Sequence, residues 1–315
     1  MEELRLVFMG TPEFALPSLE ALYHSRHKVE AVVTQPDRPR GRGQKLWPTP
    51  VKKKALELGL VVAQPESLKD EQFLEYLNRL NPDLIIAVAY GNIIPSEILE
   101  MPPEGCINLH PSLLPCYRGA SPIQSALLNG ESVTGVSVIY MAPELDAGDI
   151  IMQEEEEIRP RDCTGDLHDR LARKGAEKIL RSVDAIARGE ARPEPQDHRQ
   201  ASYTAPLEKS DEMIDWKAGA EDIFNQVRAL SPVPGATAFY QGRRVKVKKA
   251  RLPRQEANGE PGEIIGLNDE GIEVATGNGT LVITRVQPEG KKEMNALDFW
   301  RGYRLNPGDT MESGK

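Results

Sequence analysis

Short apolar runs alternate with amphipathic segments through the first half of the chain. The runs 4–9 and 83–89 are almost entirely apolar, whereas Asp70–Leu80 repeats its apolar residues at helical spacing. Strands that are apolar on both faces are typical of a parallel sheet covered by helices on both sides. Because strands that alternate with helices indicate βαβ units, we expect an α/β fold with a Rossmann-like, mostly parallel sheet.

The same patterns assign the individual elements of this half. The predicted strands are Leu4–Met9, Val29–Val33, Leu60–Ala63, Asp83–Ala89, Cys106–His110 and Gly135–Tyr140. The predicted helices are 13–25, Val51–Leu58, Asp70–Leu80, 121–129 and Gly165–Arg188. The turn Gly10–Phe14 has too few glycines for the dinucleotide-binding fingerprint, so the Rossmann-like sheet does not imply a nicotinamide cofactor.

The second half of the chain has a different pattern. Residues 190–206 are rich in Pro, Glu and Gln and lack periodicity, which is typical of a linker. One helical stretch, Ala220–Leu230, then precedes short β runs separated by turn signals; these runs are Ala236–Tyr240, Val245–Ala250, Gly262–Leu267, Gly271–Ala275 and Thr280–Arg285. We therefore predict a domain over 1–189, a linker over 190–206 and a small, OB-like β-barrel over 207–315.

Composition excludes several classes of protein. The 315-residue chain has a net charge of -9, which argues against a nonspecific nucleic-acid binder, although a local basic patch is compatible with it. No apolar run approaches the ~20 residues of a membrane helix, and the acidic N-terminus does not resemble a signal peptide. The 3 cysteines, Cys106, Cys116 and Cys163, show no Cys-x-x-Cys spacing. We therefore expect a cytoplasmic protein with reduced thiols, without a membrane partner and without a metal site.

Two polar residues end a predicted strand at the position where open α/β sheets bind ligands. Asn108 and His110 are two residues apart, so on a strand they point to the same face, and Pro111 ends the ladder. An amide and an imidazole at the carboxyl end of such a strand favour a binding or catalytic site. Considered alone, the pair is also compatible with two side chains that satisfy local backbone groups.

Further motifs carry a resemblance to a known family. The segments Asn108–Pro115, Arg118–Ile123 and Leu145–Asp149 together resemble the folate-dependent formyltransferases. The branch of that family that formylates methionyl-tRNA is similar in further segments, so the resemblance spans nearly the whole chain; these segments are Phe8–Ala15, Thr34–Gly43, Val88–Gly91, Ile214–Trp216 and Val245–Val247. Two residues depart from the branch: Cys116 replaces a usual basic residue, and Val233 replaces a frequent Trp.

The resemblance implies a reaction and the residues that perform it. It implies that Asn108, His110 and Asp146 are catalytic and that the turn Ser112-Leu113-Leu114-Pro115 lies in the folate site. It also implies formyl transfer from 10-formyltetrahydrofolate to the amino group of methionyl-initiator tRNA, by a chain that we expect to be monomeric. Asp146 alone would be better explained as a turn-capping carboxylate, and the resemblance reverses that interpretation.

The chemistry suits these side chains. Formyl transfer needs a neutral amine and develops negative charge on an oxygen atom, which preplaced donors stabilise. Asn108 offers an amide N–H that does not titrate, and His110 donates when protonated and handles protons near neutral pH. Asp146 either holds the imidazolium or takes the amine proton through water.

A cationic loop stands out in this acidic chain. Arg38, Arg40, Arg42 and Lys45 lie within eight residues, with Pro and Gly between them that disfavour regular structure, and Trp47 follows. Composition leaves a solvated surface loop and a nucleic-acid contact equally open; the resemblance implies contact with the tRNA acceptor stem. The basic run Lys246–Arg251 either follows a phosphate backbone or forms a charged outer face of the barrel.

Alternative functions remain open at the level of sequence. The same domain could formylate a sugar-linked amine or a ribonucleotide amine, which would need neither the basic loop nor the barrel. The three site residues could also activate water and act as a 10-formyltetrahydrofolate hydrolase. A noncatalytic RNA-binding module would not need Asn108, His110 and Asp146 together, so folate binding would distinguish it.

Overall fold

The computed structural model describes residues 3–40, 45–253 and 258–314, apart from the side chains of Arg40 and Lys45. These residues form two compact units. The first comprises residues 1–119, 133–157 and 168–203, and the second comprises 120–132, 158–167 and 204–315. None of the described helices combines the length and the apolarity that crossing a membrane requires.

Strands and helices are numbered in chain order. The strands are β1 (Arg5–Gly10), β2 (Lys28–Val33), β3 (Arg38–Arg40), β4 (Lys45–Trp47), β5 (Val62–Ala63), β6 (Leu84–Val88), β7 (Cys106–His110), β8 (Arg118–Gly119), β9 (Val133–Tyr140), β10 (Ile150–Glu157), β11 (Tyr203–Thr204), β12 (Ala236–Tyr240), β13 (Arg243–Arg251), β14 (Ile264–Leu267), β15 (Ile272–Ala275), β16 (Thr280–Pro288), β17 (Met294–Asn295) and β18 (Met311–Glu312). The helices are α1 (Leu16–Tyr23), α2 (Pro50–Glu57), α3 (Glu71–Leu80), α4 (Ser96–Leu99), α5 (Pro122–Leu128), α6 (Thr164–Ala187), α7 (Ala220–Ala229) and α8 (Ala296–Tyr303).

The first unit is built on one twisted sheet with the order β10-β9-β7-β6-β1-β2-β5. From β5 to β7 neighbouring strands run parallel, whereas β9 is antiparallel to both β7 and β10. All five residues of β6 are buried, as expected for a central strand. The predicted mostly parallel α/β fold is confirmed.

Strand β10 was not expected from the sequence. Its sequence, Ile-Ile-Met-Gln-Glu-Glu-Glu-Glu, ends in four acidic residues, a composition that disfavours a strand. Alternate residues of the strand form ion pairs with α6: Glu154 pairs with Lys174 and Lys178, and Glu156 pairs with Lys174. Tertiary ion pairing and the ladder with β9 therefore override local propensity.

The second unit is a curled antiparallel sheet with the order β14-β15-β16-β13-β12-β18. An isolated bridge between Glu263 and Thr310, ahead of β14 and β18, brings the two edges of the sheet together. Trp216 and Phe299 fill its core and are almost fully buried. The small C-terminal barrel is confirmed in the form of a half-barrel, and β17, α8 and β18 add to the strands expected from sequence.

Candidate active site

Asn108 and His110 lie at the carboxyl end of β7, between β6 and β9. Asn108 stands in register with Ala87 of β6, and His110 stands opposite Ser137 of β9. The two side chains share one face of the sheet because strand residues alternate. His110 is buried, whereas Asn108 is partly exposed. The strand ends at His110, immediately before Pro111, as the sequence predicts.

Asp146 lies on the loop between β9 and β10 and directs both carboxylate oxygens toward this pair. Its Oδ1 accepts from Asn108 Nδ2 at 3.5 Å, and its Oδ2 lies 3.5 Å from His110 Nδ1. The backbone N–H of Gly119 donates to the same Oδ2 at 2.8 Å. Asp146 has a positive φ of 49°. Such a conformation costs a non-glycine residue about 1–3 kcal/mol and concentrates at functional sites.

The hydrogen bonds of His110 assign its tautomer. Nε2 lies 2.8 Å from the carbonyl oxygen of Tyr117, which can only accept, so Nε2 carries a proton. Nδ1 therefore faces Asp146 either as a lone pair or as an N–H donor. Nδ1 is therefore the ring nitrogen that faces a side chain able to exchange a proton, whereas Nε2 is held by a backbone carbonyl.

Two further titratable groups at this strand, Cys106 and Tyr140, are unsuited to proton transfer or attack near neutral pH. Cys106 begins β7, and burial raises the pKa of its thiol to about 12. Its Sγ donates to the carbonyl of Ile98 at 3.5 Å, so the thiol has a packing role. Burial, and secondarily Glu104, raises the pKa of Tyr140 on β9.

The turn Ser112–Pro115 is held by hydrogen bonds to Cys116 and to Ser137 of β9. Ser112 is fully buried, and its hydroxyl donates to the carbonyl of Cys116 at 2.6 Å. Its own carbonyl accepts from Ser137 Oγ at 2.7 Å. The side chain of Ser112 therefore supports the turn, while Leu113 and Pro115 are partly exposed and Leu114 is buried. The partly exposed side chains of the turn are therefore apolar, and its polar groups hold its shape.

Comparison with known proteins assigns the family. The Formyl transferase profile matches residues 4–183, and the profile of the Formyl transferase C-terminal domain matches residues 206–304. The chain belongs to the formyltransferase family. A methionyl-tRNA formyltransferase from Moorella thermoacetica is 50% identical over 308 residues, which cover 98% of this chain and 99% of that relative. A second relative with the same name, from Syntrophus aciditrophicus, is 47% identical over 99% of this chain and 100% of its own length.

A solved structure shares the fold. HypX from Aquifex aeolicus in complex with tetrahydrofolic acid superposes with a TM-score of 0.65 at 20% identity. The alignment covers 98% of this chain and 51% of HypX, so this formyltransferase spans about half the length of that protein. At this identity the likeness shows the fold alone.

The basic loop of this formyltransferase is more regular than the sequence suggests. Arg40 and Lys45 lie at the ends of β3 and β4, which pair with each other, whereas Arg42 lies outside the described residues. The expectation that Pro and Gly exclude regular structure here is therefore wrong for the described ends, because a short ladder forms on both sides. Arg38 is exposed and donates to Gln35 at 2.9 Å, and half-exposed Trp47 lies 5.2 Å from Lys53 Nζ.

Two lysines of β13, Lys246 and Lys248, make internal contacts. Lys246 Nζ donates to the carbonyl of Pro234 at 2.6 Å, and Lys248 is buried and donates to the carbonyl of Pro232. Both lysines therefore hold the proline loop 231–235. Lys249, the next residue, is exposed. These internal contacts argue against the interpretation that Lys246 and Lys248 together follow a phosphate backbone.

Sequence reasoning missed one residue that contacts this site. Gln196 belongs to the stretch predicted as a linker, yet it is buried and hydrogen-bonds the backbone of the Asp146 loop. A single Gln in an aperiodic, polar segment gives no signal of this contact. Among the described residues, no group of three or more His, Cys, Asp or Glu is arranged to hold a metal ion.

Proposed function

We propose that the chain transfers the formyl group of 10-formyltetrahydrofolate to the free amino group of methionyl-initiator tRNA. The observation that carries this proposal is the meeting of Asn108, His110 and Asp146 at the end of β7. Family membership supports this choice of substrates. So does the identity of 50% and 47% to two methionyl-tRNA formyltransferases over nearly the whole chain.

The three side chains divide the work of the reaction. The amine nitrogen attacks the formyl carbon, a new C–N bond forms, and the bond between that carbon and N10 of the folate breaks. Asn108 donates to the oxygen that becomes negative, and so does His110, from Nδ1 when that nitrogen is protonated, because its Nε2–H is bonded to the carbonyl of Tyr117. Asp146, which lies beside Nδ1, orients the imidazole and takes a proton from the attacking amine, either directly or through water, and one proton returns to N10 of the leaving folate.

The binding surfaces are assigned on the same basis. We propose that the turn Ser112-Leu113-Leu114-Pro115 lines the folate site, with Leu113 and Pro115 as the exposed part of the wall. We propose that the basic loop contacts the tRNA acceptor stem; its cations are Arg38, Arg40, Arg42 and Lys45. The half-barrel over 207–315 then assists tRNA binding, joined through 190–206 to a formyl-transfer domain over 1–189.

The cellular setting is part of the proposal. We propose that the chain works as a monomer in the cytoplasm. The free thiols of Cys106, Cys116 and Cys163 support a reducing compartment.

A competition among acceptors tests this function. The purified chain is incubated with 10-formyltetrahydrofolate labelled in the formyl group and with methionyl-initiator tRNA, an amino-sugar nucleotide, a ribonucleotide amine or buffer alone. We expect rapid label transfer to the methionyl-tRNA and slow release of formate without an acceptor. Faster transfer to either small amine, or formate release as rapid as transfer, would overturn the proposal in favour of the corresponding alternative.

A further inference from the structure

Gln196 is buried in the first unit, and its amide group is saturated with hydrogen bonds. Its Oε1 accepts from Arg118 Nε at 3.2 Å and from Nη2 at 2.6 Å. Its Nε2 donates to the carbonyl of Asp146 at 2.8 Å and to that of Gly148 at 2.7 Å. A primary amide has two acceptor sites and two donor hydrogens, so every position is used.

Arg118 determines which way this amide points. Its guanidinium is almost fully buried and contains only hydrogen-bond donors. The amide oxygen of Gln196 must therefore face Arg118, and the amide nitrogen must face away from it. Its other partners are His198 Nδ1 at 3.1 Å and Tyr203 Oη at 3.4 Å. The salt bridges of the described residues include none to Arg118. This buried cation is therefore hydrogen-bonded to an amide, an imidazole and a phenol.

The loop that Gln196 holds has little freedom to move. Gly148 approaches β9 so closely that a Cβ atom there would lie 1.9 Å from the carbonyl oxygen of Tyr140. Two residues earlier, Asp146 adopts its positive φ of 49°. The carbonyls of these two residues are the ones that Gln196 binds. The Asp146 carboxylate therefore faces Asn108 and His110 on a turn that Gln196 clamps at both ends.

We propose that Gln196 is a positioning residue for formyl transfer, with Arg118 orienting its amide. Gln196 contacts only the backbone of the turn, and through it sets where the Asp146 carboxylate lies. Because a displacement of about 1 Å in a reacting group costs about 100-fold in rate, losing this clamp would impair turnover without removing any reacting group. The inference rests on the proposed function.

The substitution Gln196→Glu tests the clamp with little change in volume. The substituted carboxylate keeps acceptors for Arg118 and gains an ion pair, but it turns an oxygen toward two carbonyls that previously received N–H donors. We expect a folded protein whose melting temperature falls by roughly a few degrees because two carbonyls lose their donors, a KM for 10-formyltetrahydrofolate within about threefold of wild type, and kcat reduced about 10- to 100-fold. The substitution Gln200→Glu, an exposed position four residues away, makes the same chemical change and should leave kcat unchanged.

A double-mutant cycle separates positioning from general structural damage. In an Asp146→Asn background the carboxylate to be positioned is gone, so Gln196→Glu should cost less than about threefold in single-turnover rate. A folded Gln196→Glu protein with wild-type kcat, or a full additional loss in the Asp146→Asn background, would overturn the inference. If Gln196→Glu does not fold, Gln196→Met provides the same cycle with a neutral side chain.

Wild-type turnover distinguishes the two proposals. If the wild-type protein does not formylate methionyl-tRNA, the proposed function fails. The cycle is then run on whichever acceptor is formylated, since the clamp acts on Asp146 and not on the acceptor. If the wild-type protein is active and the cycle is additive, only the positioning role fails.

Discussion

The end of β7 and the proline loop 231–235 both bury polar side chains, but the partners differ. At β7, Asp146 contacts both Asn108 and His110. At the proline loop, Lys246 and Lys248 donate to backbone carbonyls. The first arrangement contains groups that exchange protons, whereas a backbone carbonyl accepts a hydrogen bond and nothing more.

This difference distinguishes side chains suited to proton transfer from side chains that stabilise a loop. The contact between His110 Nδ1 and Asp146 Oδ2 is 3.5 Å, which is long for a hydrogen bond, so neither group is committed to the other. Reacting groups in unliganded sites often have this looseness and tighten when substrate binds. The contact of Lys246 Nζ with the Pro234 carbonyl is short at 2.6 Å, and the same ammonium lies 3.5 Å from Glu212 Oε2. Burial therefore marks a functional site only where the partners can still change state.

The largest expected effect comes from His110. The substitution His110→Ala removes both the donor to the developing negative charge and the proton carrier, so turnover should fall roughly 10²–10⁴-fold. Single-turnover formylation of methionyl-tRNA gives the measurement. The melting temperature should change little beyond the loss of the Tyr117 contact. Turnover close to wild type in the folded variant would remove His110 from the mechanism. Its role would then be structural, like that of the lysines at the proline loop.

Asn108 should have the next largest effect. The substitution Asn108→Ala removes a non-titrating donor, with an expected loss of ~3 kcal/mol of transition-state stabilisation, or about 100-fold in rate. Folate binding, measured by isothermal calorimetry, should persist. A fall in folate affinity with an unchanged chemical step would make Asn108 a binding residue.

The sequence predicted the parts of the site that follow from strand periodicity. Asn108 and His110 share a face because residues two apart on a strand must do so, and Pro111 marks where the strand ends. Asp146 lies far beyond His110 in the chain, and no local rule brings it there. Its role was implied by the family resemblance, and the structure adds the contacts from Asn108 and Gly119.

Other features could not be predicted because their causes are tertiary. Gln196 lies in an aperiodic stretch, and its hydrogen bonds go to backbone carbonyls, which carry no sequence signal. The shared face of Lys246 and Lys248 was predictable from alternation, but the folding of the proline loop over it was not. Strand β10 could not be predicted because its acidic composition disfavours a strand, and the lysine that pairs with its glutamates lies on α6.

Salt dependence distinguishes the basic loop from the proline loop. The loop residue Arg42 is proposed to contact a phosphate, so Arg42→Ala should lower the slope of log tRNA affinity against log salt by roughly 0.7–0.9. The substitution Lys246→Ala should leave this slope unchanged, because that ammonium is engaged by Pro234. Folate affinity should be the same in both variants. The opposite pattern would move tRNA binding to β13.

The smallest expected effect concerns Lys248, whose role we expect to be stability alone. Burial, and secondarily Lys246, lowers the pKa of its ammonium from 10.5, while Glu293 acts in the opposite direction. Between the lowered pKa and 10.5, the unfolded chain binds a proton that the folded protein does not, so wild-type stability should rise with pH across that window.

Lys248→Met should lack this rise, and at pH 7 it should cost about 1 kcal/mol because the Pro232 carbonyl loses its donor. Urea unfolding between pH 7 and pH 10, followed by tryptophan fluorescence with buried Trp216 as reporter, supplies the measurement. The exposed neighbour gives the control, since Lys249→Met removes a charge from the same strand without removing a buried donor. A stability difference between wild type and Lys248→Met that is constant with pH would show that this ammonium is as well solvated as that of Lys249. Such a result, or a loss of formyl transfer in the folded Lys248→Met variant, would break the distinction between the proline loop and the end of β7.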